Sequence, residues 1–222
     1  MNAALIRLLH LASPTLPVGA YTYSQGLEWA VESGAVRNEA EALAWIGDCL
    51  EQGLARFEAV YLAHMLRAWR GDDIARLAEM DGEFIANRET AELRAETLQM
   101  GHSLARLLAD LPEFAEARMV GFAEPSFPLV WSRAAAHWDI PDEDAVAAYL
   151  WAWAENQVMA ALKAVPLGQT AGQRLLLVLG ERLPELARQA AAAPIEHTHN
   201  FLPALAIASS CHETQYTRIF RS

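Results

Sequence analysis

One segment, residues 145–154, restricts the fold of this chain more than any other. It reads AVAAYLWAWA and has neither a charged side chain nor a polar face. The stretch around it, from Asp142 to Val165, has the length of a long helix, and a helix without a polar face has to be enclosed by other elements. Glu155 and Lys163 within this stretch are costly in lipid, which argues against a membrane span. We therefore predict a buried helix at the centre of a helical bundle.

The rest of the chain also favours helices. Apolar residues recur at helical spacing in several stretches that end at proline or glycine. These stretches are residues 2–12, 38–69, 73–86, 88–112, 129–138 and 170–193, the last with an expected irregularity at Gly180 and Pro184. No useful length alternates with the period of two that is typical of a strand. We predict an all-α, single-domain helical bundle over residues 1–222, with a flexible C-terminal segment at residues 212–222, here called the tail.

Composition narrows the classes of function and the compartment. Lysine and arginine number 17 against 28 aspartates and glutamates, a formal net charge of -11. This balance disfavours non-specific binding to nucleic acid and to membrane surfaces, which needs basic surfaces. The two cysteines, Cys49 and Cys211, suggest no disulfide framework, and residues 1–19 lack the charged start and long apolar core of a signal peptide. We therefore expect a cytoplasmic protein.

Motifs that carry catalysis or bind cofactors are incomplete in this chain. No Gly-Lys pair exists, so there is no P-loop for a nucleotide. His212 begins a segment that resembles a zinc-protease motif but lacks the second histidine. Cys211 and His212 are candidate nickel ligands, although adjacent residues on a helix diverge. His197 and His199 can either bind a transition metal or lie in a solvated loop. We predict no catalytic residue, no cofactor-binding residue and no firm metal site.

Two side chains outside the tail are candidates for contacts with a partner. Lys163 is the only lysine in the chain, and it lies near the end of the apolar helix. A cation is favoured there by the helix dipole, so Lys163 is either an ordinary helix-end residue or a charge placed at an interface. Tyr21 follows Pro17 and Gly19 in a rigid turn, and tyrosine is a frequent anchor in interfaces.

The tail has an unusual composition for an acidic protein. Tyr216, Ile219 and Phe220 have the spacing of one apolar stripe on a helix, while Arg218 and Arg221 project elsewhere. Eleven residues are too few for a stable isolated helix. The stripe can dock on its own bundle or become ordered in the groove of a partner. The arginines favour the partner.

Four separated motifs together resemble the UreF family of urease accessory proteins. They are LASPTLPVGAYTYSQGLEWAVESG, RETAELRAE, KAVPLGQTAGQ and AIASSCHETQYTRIFRS, and they extend from residue 11 to residue 222. The resemblance implies an all-helical cytoplasmic chaperone without a catalytic site of its own. It implies that the protein bridges UreD (called UreH in some systems) and the GTPase UreG, and that it forms a homodimer. The resemblance further implies that the complex handles nickel for apo-urease and that UreG binds the GTP.

The resemblance also implies roles for single residues. Tyr216, Arg218 and Phe220 match the segment that engages UreD. Tyr21 matches the loop on the face that meets UreG, and Lys163 matches a segment near an interface needed for productive activation. The alternative is a helical enzyme of unrelated type, which requires titratable groups that converge in a pocket.

Overall fold

The computed structural model describes residues 3–114 and 121–222, and these residues contain eleven α-helices and no strand. The helices are α1 (Ala3–Leu11), α2 (Leu27–Glu32), α3 (Glu39–Asp48), α4 (Glu58–Arg70), α5 (Ile74–Ala86), α6 (Ala91–Asp110), α7 (Phe127–His137), α8 (Asp142–Ala164), α9 (Gln169–Gly180), α10 (Leu183–Ala192) and α11 (Pro203–His212). The predicted all-α class is thereby confirmed.

The apolar helix predicted from residues 145–154 is the centre of the bundle. It lies in α8, which packs against α1, α2, α3, α4, α9 and α10. Leu150 is fully buried and Trp151 is half-buried, as a helix without a polar face requires. Asp142 stands in the first turn of α8 and Lys163 in the last, so both charges suit the helix dipole. None of the described helices combines the length and hydropathy that crossing a membrane needs.

The stretch predicted as one helix from residue 38 to residue 69 is divided. Asn38 caps its start, because its side chain accepts a hydrogen bond from the backbone N–H of Glu41 at 3.0 Å. The α-helix ends at Asp48, a π-helical segment follows over Cys49–Leu54, and α4 begins at Glu58. The prediction of a continuous helix was therefore wrong. Four of the six residues of the π-helical segment are buried, including Gly53. A Cβ at Gly53 would lie 3.3 Å from the side chain of Leu202.

The predicted irregularity at Gly180 and Pro184 is confirmed. Helix α9 ends at Gly180, and α10 begins at Leu183 with Pro184 in its first turn. Proline is tolerated there because the first N–H groups of a helix have no partner within the helix.

The tail packs against its own chain. Helix α11 ends at His212, and the residues beyond it are not helical; they run back along α2 and α6 of the same chain. In the free chain, the three apolar residues therefore do not form one stripe on a helix. Phe220 is 6 % exposed, whereas Ile219 is 66 % exposed and Tyr216 is fully exposed. Docking on its own bundle, one of the two alternatives, is what the structure contains.

Candidate partner-binding site

The four motifs that carry the family resemblance meet in one region, here called the tail site. The first motif supplies the turn before α2 and α2 itself, and the second supplies the start of α6. The third supplies the end of α8, and the fourth supplies α11 and the tail. Hydrogen bonds and ring contacts join the tail to each of the other three. Segments almost 200 residues apart in sequence therefore build one site.

A tight turn at Gly26 allows α11 to approach α2. Gly26 has a φ of 78°, in the left-handed region that favours glycine, and a Cβ there would lie 2.9 Å from the backbone nitrogen of Ser209. Gln25 also has a positive φ, of 52°. Its amide donates to Glu96 at 2.7 Å and its carbonyl accepts from the indole of Trp153 at 2.8 Å. These two bonds hold Gln25 in a backbone conformation that non-glycine residues rarely adopt.

The start of α6 faces the tail because its cap is shared with α11. The hydroxyl of Thr90 accepts from the backbone N–H of Leu93 at 3.2 Å, and it lies 2.8 Å from the hydroxyl of Ser209. Glu92 and Glu96 follow at a spacing of four residues, which places both on one face of the helix. That face is the one along which the tail runs.

Glu28, in the first turn of α2, binds the backbone of the tail. Its Oε1 accepts from the N–H of Ile219 at 2.6 Å, and its Oε2 accepts from the N–H of Phe220 at 2.9 Å. Its side chain is almost completely buried. A buried carboxylate requires such partners, since an unpaired charge away from water is costly.

His212 lies between two carboxylates. Its Nδ1 is 2.7 Å from Glu92 and its Nε2 is 3.2 Å from Glu28, and the ring is fully buried. Arg218 of the tail also reaches Glu92, at 2.6 Å. Each ring nitrogen lies within hydrogen-bonding distance of one carboxylate, so the group joins α2, α6 and the tail.

The weak metal candidates are not assembled into a metal site. Both ring nitrogens of His212 face carboxylates, and Cys211 is a half-buried free thiol. Over residues 3–114 and 121–222, no group of three or more His, Cys, Asp or Glu side chains is arranged to hold a metal ion.

Glu96 receives the end of the tail. Its carboxyl group accepts from Gln25 at 2.7 Å and from the hydroxyl of Ser222 at 2.8 Å. Burial raises the pKa of Glu96 to about 7, although both hydrogen bonds and the nearby Arg88 act in the opposite direction. The backbone oxygen of Ser222 accepts from the N–H and the hydroxyl of Ser24, at 2.7 and 2.6 Å. Ser222 is therefore fully buried.

Arg88 and Glu58 form a buried ion pair near Glu96. Arg88, the first residue of the RETAELRAE motif, contacts Glu58 of α4 at 2.5 Å, and both side chains are largely buried. The hydroxyl of Tyr149 donates to the same carboxylate at 2.9 Å. Burial raises the pKa of Tyr149, so its hydroxyl stays a donor. The motif thus contributes to the interior as well as to the tail site.

Three of the five residues predicted to bind partners lie together. The ammonium of Lys163 is 5.4 Å from the ring centroid of Phe220 and 6.0 Å from that of Tyr21, within the range of a cation–π interaction. Arg218 is paired with Glu92, and Tyr216 extends into solvent. Lys163 is therefore a helix-end residue and, at the same time, a contact between the tail and the Tyr21 loop. A cavity of about 200 Å³, lined by Tyr21, Lys163 and Glu96 among others, adjoins this cluster.

The residues that hold the tail were not among the predicted site residues. In the sequence, Glu28, Glu92 and Glu96 look like exposed helix charges; Glu28 and Glu92 stand in first turns, where an acid is ordinary. The spacing of Glu92 and Glu96 was a usable signal, since it predicts a shared face. Nothing local indicates that Glu28 turns inward, because its partners are backbone groups about 190 residues away.

Comparisons with known proteins agree with the motif resemblance. The family model named UreF matches residues 36–180. The chain is similar to three proteins named urease accessory protein UreF. That of Azoarcus sp. (strain BH72) is 63 % identical over 98 % of this chain and 95 % of the relative. That of Dechloromonas aromatica (strain RCB) is 58 % identical over 98 % and 97 %. That of Nitrosococcus oceani is 50 % identical over 97 % of each chain. A match of this length and identity shows that the chain belongs to the UreF family.

Proposed function

We propose that this protein is a urease accessory adaptor that bridges UreD and the GTPase UreG and supports GTP-dependent assembly of the urease nickel centre. The observation that carries the proposal is the tail site, where the four family motifs converge on a tail with exposed apolar side chains. Its relatives bear the name urease accessory protein. The proposal includes a homodimer in the cytoplasm. It assigns the nickel to the complex as cargo and the GTP to UreG.

Two exposed tyrosines define the proposed contact surfaces. Tyr216 is fully exposed, so its ring is free to anchor UreD. Tyr21 is 66 % exposed beside Lys163, and we assign it to the face that meets UreG. Phe220, one of the tail residues assigned to UreD, is buried against Lys163 and acts by fixing the tail. The protein therefore offers docking surfaces, and the chemistry takes place in its partners.

Single substitutions test the proposal better than removal of the tail. Removal of residues 212–222 would take the tail partners away from Glu28, Glu92 and Glu96 and would also remove the buried Phe220, so lost binding and lost folding could not be separated. We expect Tyr216→Ala to weaken UreD binding by about 2 kcal/mol, the loss typical of an aromatic anchor. We expect Tyr21→Ala to keep UreD binding and to reduce recruitment of UreG. Affinity measurements with purified UreD, and co-purification of all three proteins, check both.

Leu177→Ala is the matched control, because Leu177 is 70 % exposed on α9, outside the tail site. It should bind both partners as the wild type does. The proposal fails if the wild-type chain binds neither UreD nor UreG. It also fails if Tyr216→Ala binds UreD with the affinity of the Leu177→Ala control.

A further inference from the structure

The carboxylate of Glu28 acts as a receptor for the tail backbone. Two consecutive N–H groups, those of Ile219 and Phe220, donate to its two oxygens at 2.6 and 2.9 Å. One planar group therefore fixes two neighbouring peptide units. The N–H of the next residue, Arg221, donates to the carbonyl of Thr22 at 2.8 Å, which continues the same attachment.

The two oxygens of a glutamate side chain suit both contacts. A carboxylate presents two acceptor oxygens, whereas the amide of glutamine presents one acceptor and one donor. The amide donor would face an N–H of the tail, and one of the two bonds would be lost. Hydrogen bonds to a charged acceptor are also about twice as strong as neutral ones.

The charge of Glu28 is satisfied mainly by the tail itself. Among the ion pairs of the described residues, Glu28 faces only His212, and the other nitrogen of that ring faces Glu92. Arg218 pairs with Glu92 and Arg88 pairs with Glu58, but among the described residues no arginine pairs with Glu28. A buried carboxylate with so little cationic support requires the backbone donors. The tail and Glu28 therefore stabilise each other.

This attachment decides which tail side chains face solvent. With both N–H groups held by Glu28, Phe220 turns inward onto Lys163, and Ile219 faces outward. Tyr216 lies three residues before Ile219 and is fully exposed. The ordered tail thus offers two apolar side chains without any rearrangement.

We propose that Glu28 is the positioning residue of the tail, which clamps two of its backbone N–H groups and so presents Tyr216 and Ile219 to the partner. The identity of that partner rests on the proposed function; the clamp itself does not. A tail that is already ordered loses less conformational entropy on binding, so the clamp raises affinity without touching the partner.

Hydrogen exchange of backbone amides, measured by NMR on the full chain, tests the clamp without any partner. In the wild type, the amides of Ile219 and Phe220 should be protected. In Glu28→Gln they should exchange roughly 10- to 100-fold faster, the range expected for loss of a charge-assisted hydrogen bond, while amides of α8 stay unchanged. Glu32→Gln is the matched control, since Glu32 stands in the same helix, is exposed and carries the same charge. It should behave as the wild type does.

A tail variant keeps the test decisive if Glu28→Gln does not fold. Ile219→Pro removes one N–H donor from the tail and leaves Glu28 intact, and Ile219→Ala removes the same side chain but keeps the donor. We expect faster exchange at Phe220 in Ile219→Pro than in Ile219→Ala. Equal exchange in these two variants would overturn the clamp, as would wild-type protection in Glu28→Gln.

Affinity for UreD tests the presentation. We expect Glu28→Gln to bind at least about threefold more weakly than Glu32→Gln, because ordering the tail then has to occur on binding. A loosened tail with unchanged affinity would overturn presentation and leave the clamp standing. If the wild type does not bind UreD at all, the proposed function fails, and the exchange data still decide the role of Glu28.

Discussion

The aromatic core and the tail site are both buried, yet they are built from opposite kinds of residue. In the core, the ring of Phe84 stacks on that of Phe57, with 5.3 Å between the ring centroids. It also makes an edge contact with the ring of Tyr61, with 5.8 Å between the centroids. In the tail site, Glu28 and Glu96 are buried instead, and their hydrogen bonds run to residues far away in sequence. Apolar contacts tolerate many arrangements, whereas a buried carboxylate is stable only with its own partners in place.

The two regions therefore have different tasks. The core provides most of the favourable free energy of folding, because burial of apolar area dominates that term. The tail site adds little net stability, since the desolvation of its charges offsets much of their attraction. It determines where the tail lies, and thereby which side chains a partner meets. Substitutions in the two regions should separate these effects.

The largest effect is expected in the core. Phe84→Ala should lower the free energy of unfolding by about 4 kcal/mol, because a fully buried ring is replaced by a cavity. Urea unfolding measures the change. Under conditions where the variant stays folded, protection of the Phe220 amide should be retained.

Ile74→Ala is the control in the same helix, since Ile74 is partly exposed. It should lower the free energy of unfolding much less than Phe84→Ala does. If Phe84→Ala abolished protection of the tail as fully as Glu28→Gln does, the separation between core and tail site would be wrong.

The core could be predicted from sequence, for a physical reason. Burial of α8 follows from a local property, the absence of a polar face over residues 145–154, and no knowledge of distant residues is needed. The break at Gly180 and Pro184 is equally local. The π-helical segment Cys49–Leu54 was missed because its extra residue fits the packing around it, and the apolar spacing of the sequence continues through it.

The tail site could be predicted only as a set of motifs. The family resemblance selected Tyr21, Lys163 and Phe220, and the structure brings these three side chains together. Helical spacing does not describe the tail in the free chain. Three apolar residues at i, i+3 and i+4 predict a stripe only if the backbone is helical, and the contacts of Glu28 hold it in another conformation. Such long-range polar contacts leave no periodic signal.

A smaller effect, dependent on pH, is expected at Glu96. Burial raises its pKa to about 7 in the folded protein, from an ordinary value of 4.5. The folded state therefore keeps a proton that the unfolded chain releases, so the free energy of unfolding should fall as pH rises from about 4.5 to about 7. Above that range the contribution is lost, and below 4.5 it is fully present. The total change should be roughly 3 kcal/mol.

Glu96→Gln isolates this contribution, because the amide keeps the acceptor for Gln25 and cannot titrate. Urea unfolding of both proteins from pH 4.5 to pH 8 should show a shallower dependence in the variant. A wild-type curve parallel to that of the variant would show that Glu96 is ionised in the folded state across the range.

The smallest effect on stability is expected at Lys163, which contacts both the tail and the Tyr21 loop. Its side chain is exposed, so loss of its contacts with Phe220 and Tyr21 in Lys163→Met should cost at most about 1 kcal/mol. Exchange at the Phe220 amide should rise only slightly, because Glu28 still holds the backbone. Lys163→Arg is the matched control, since it keeps a cation over both rings. If the proposed function is correct, Lys163→Met should alter how the complex with UreG activates urease while Lys163→Arg largely preserves it. If both variants activate urease and assemble the complex as the wild type does, Lys163 is only an ordinary cation at the end of a helix.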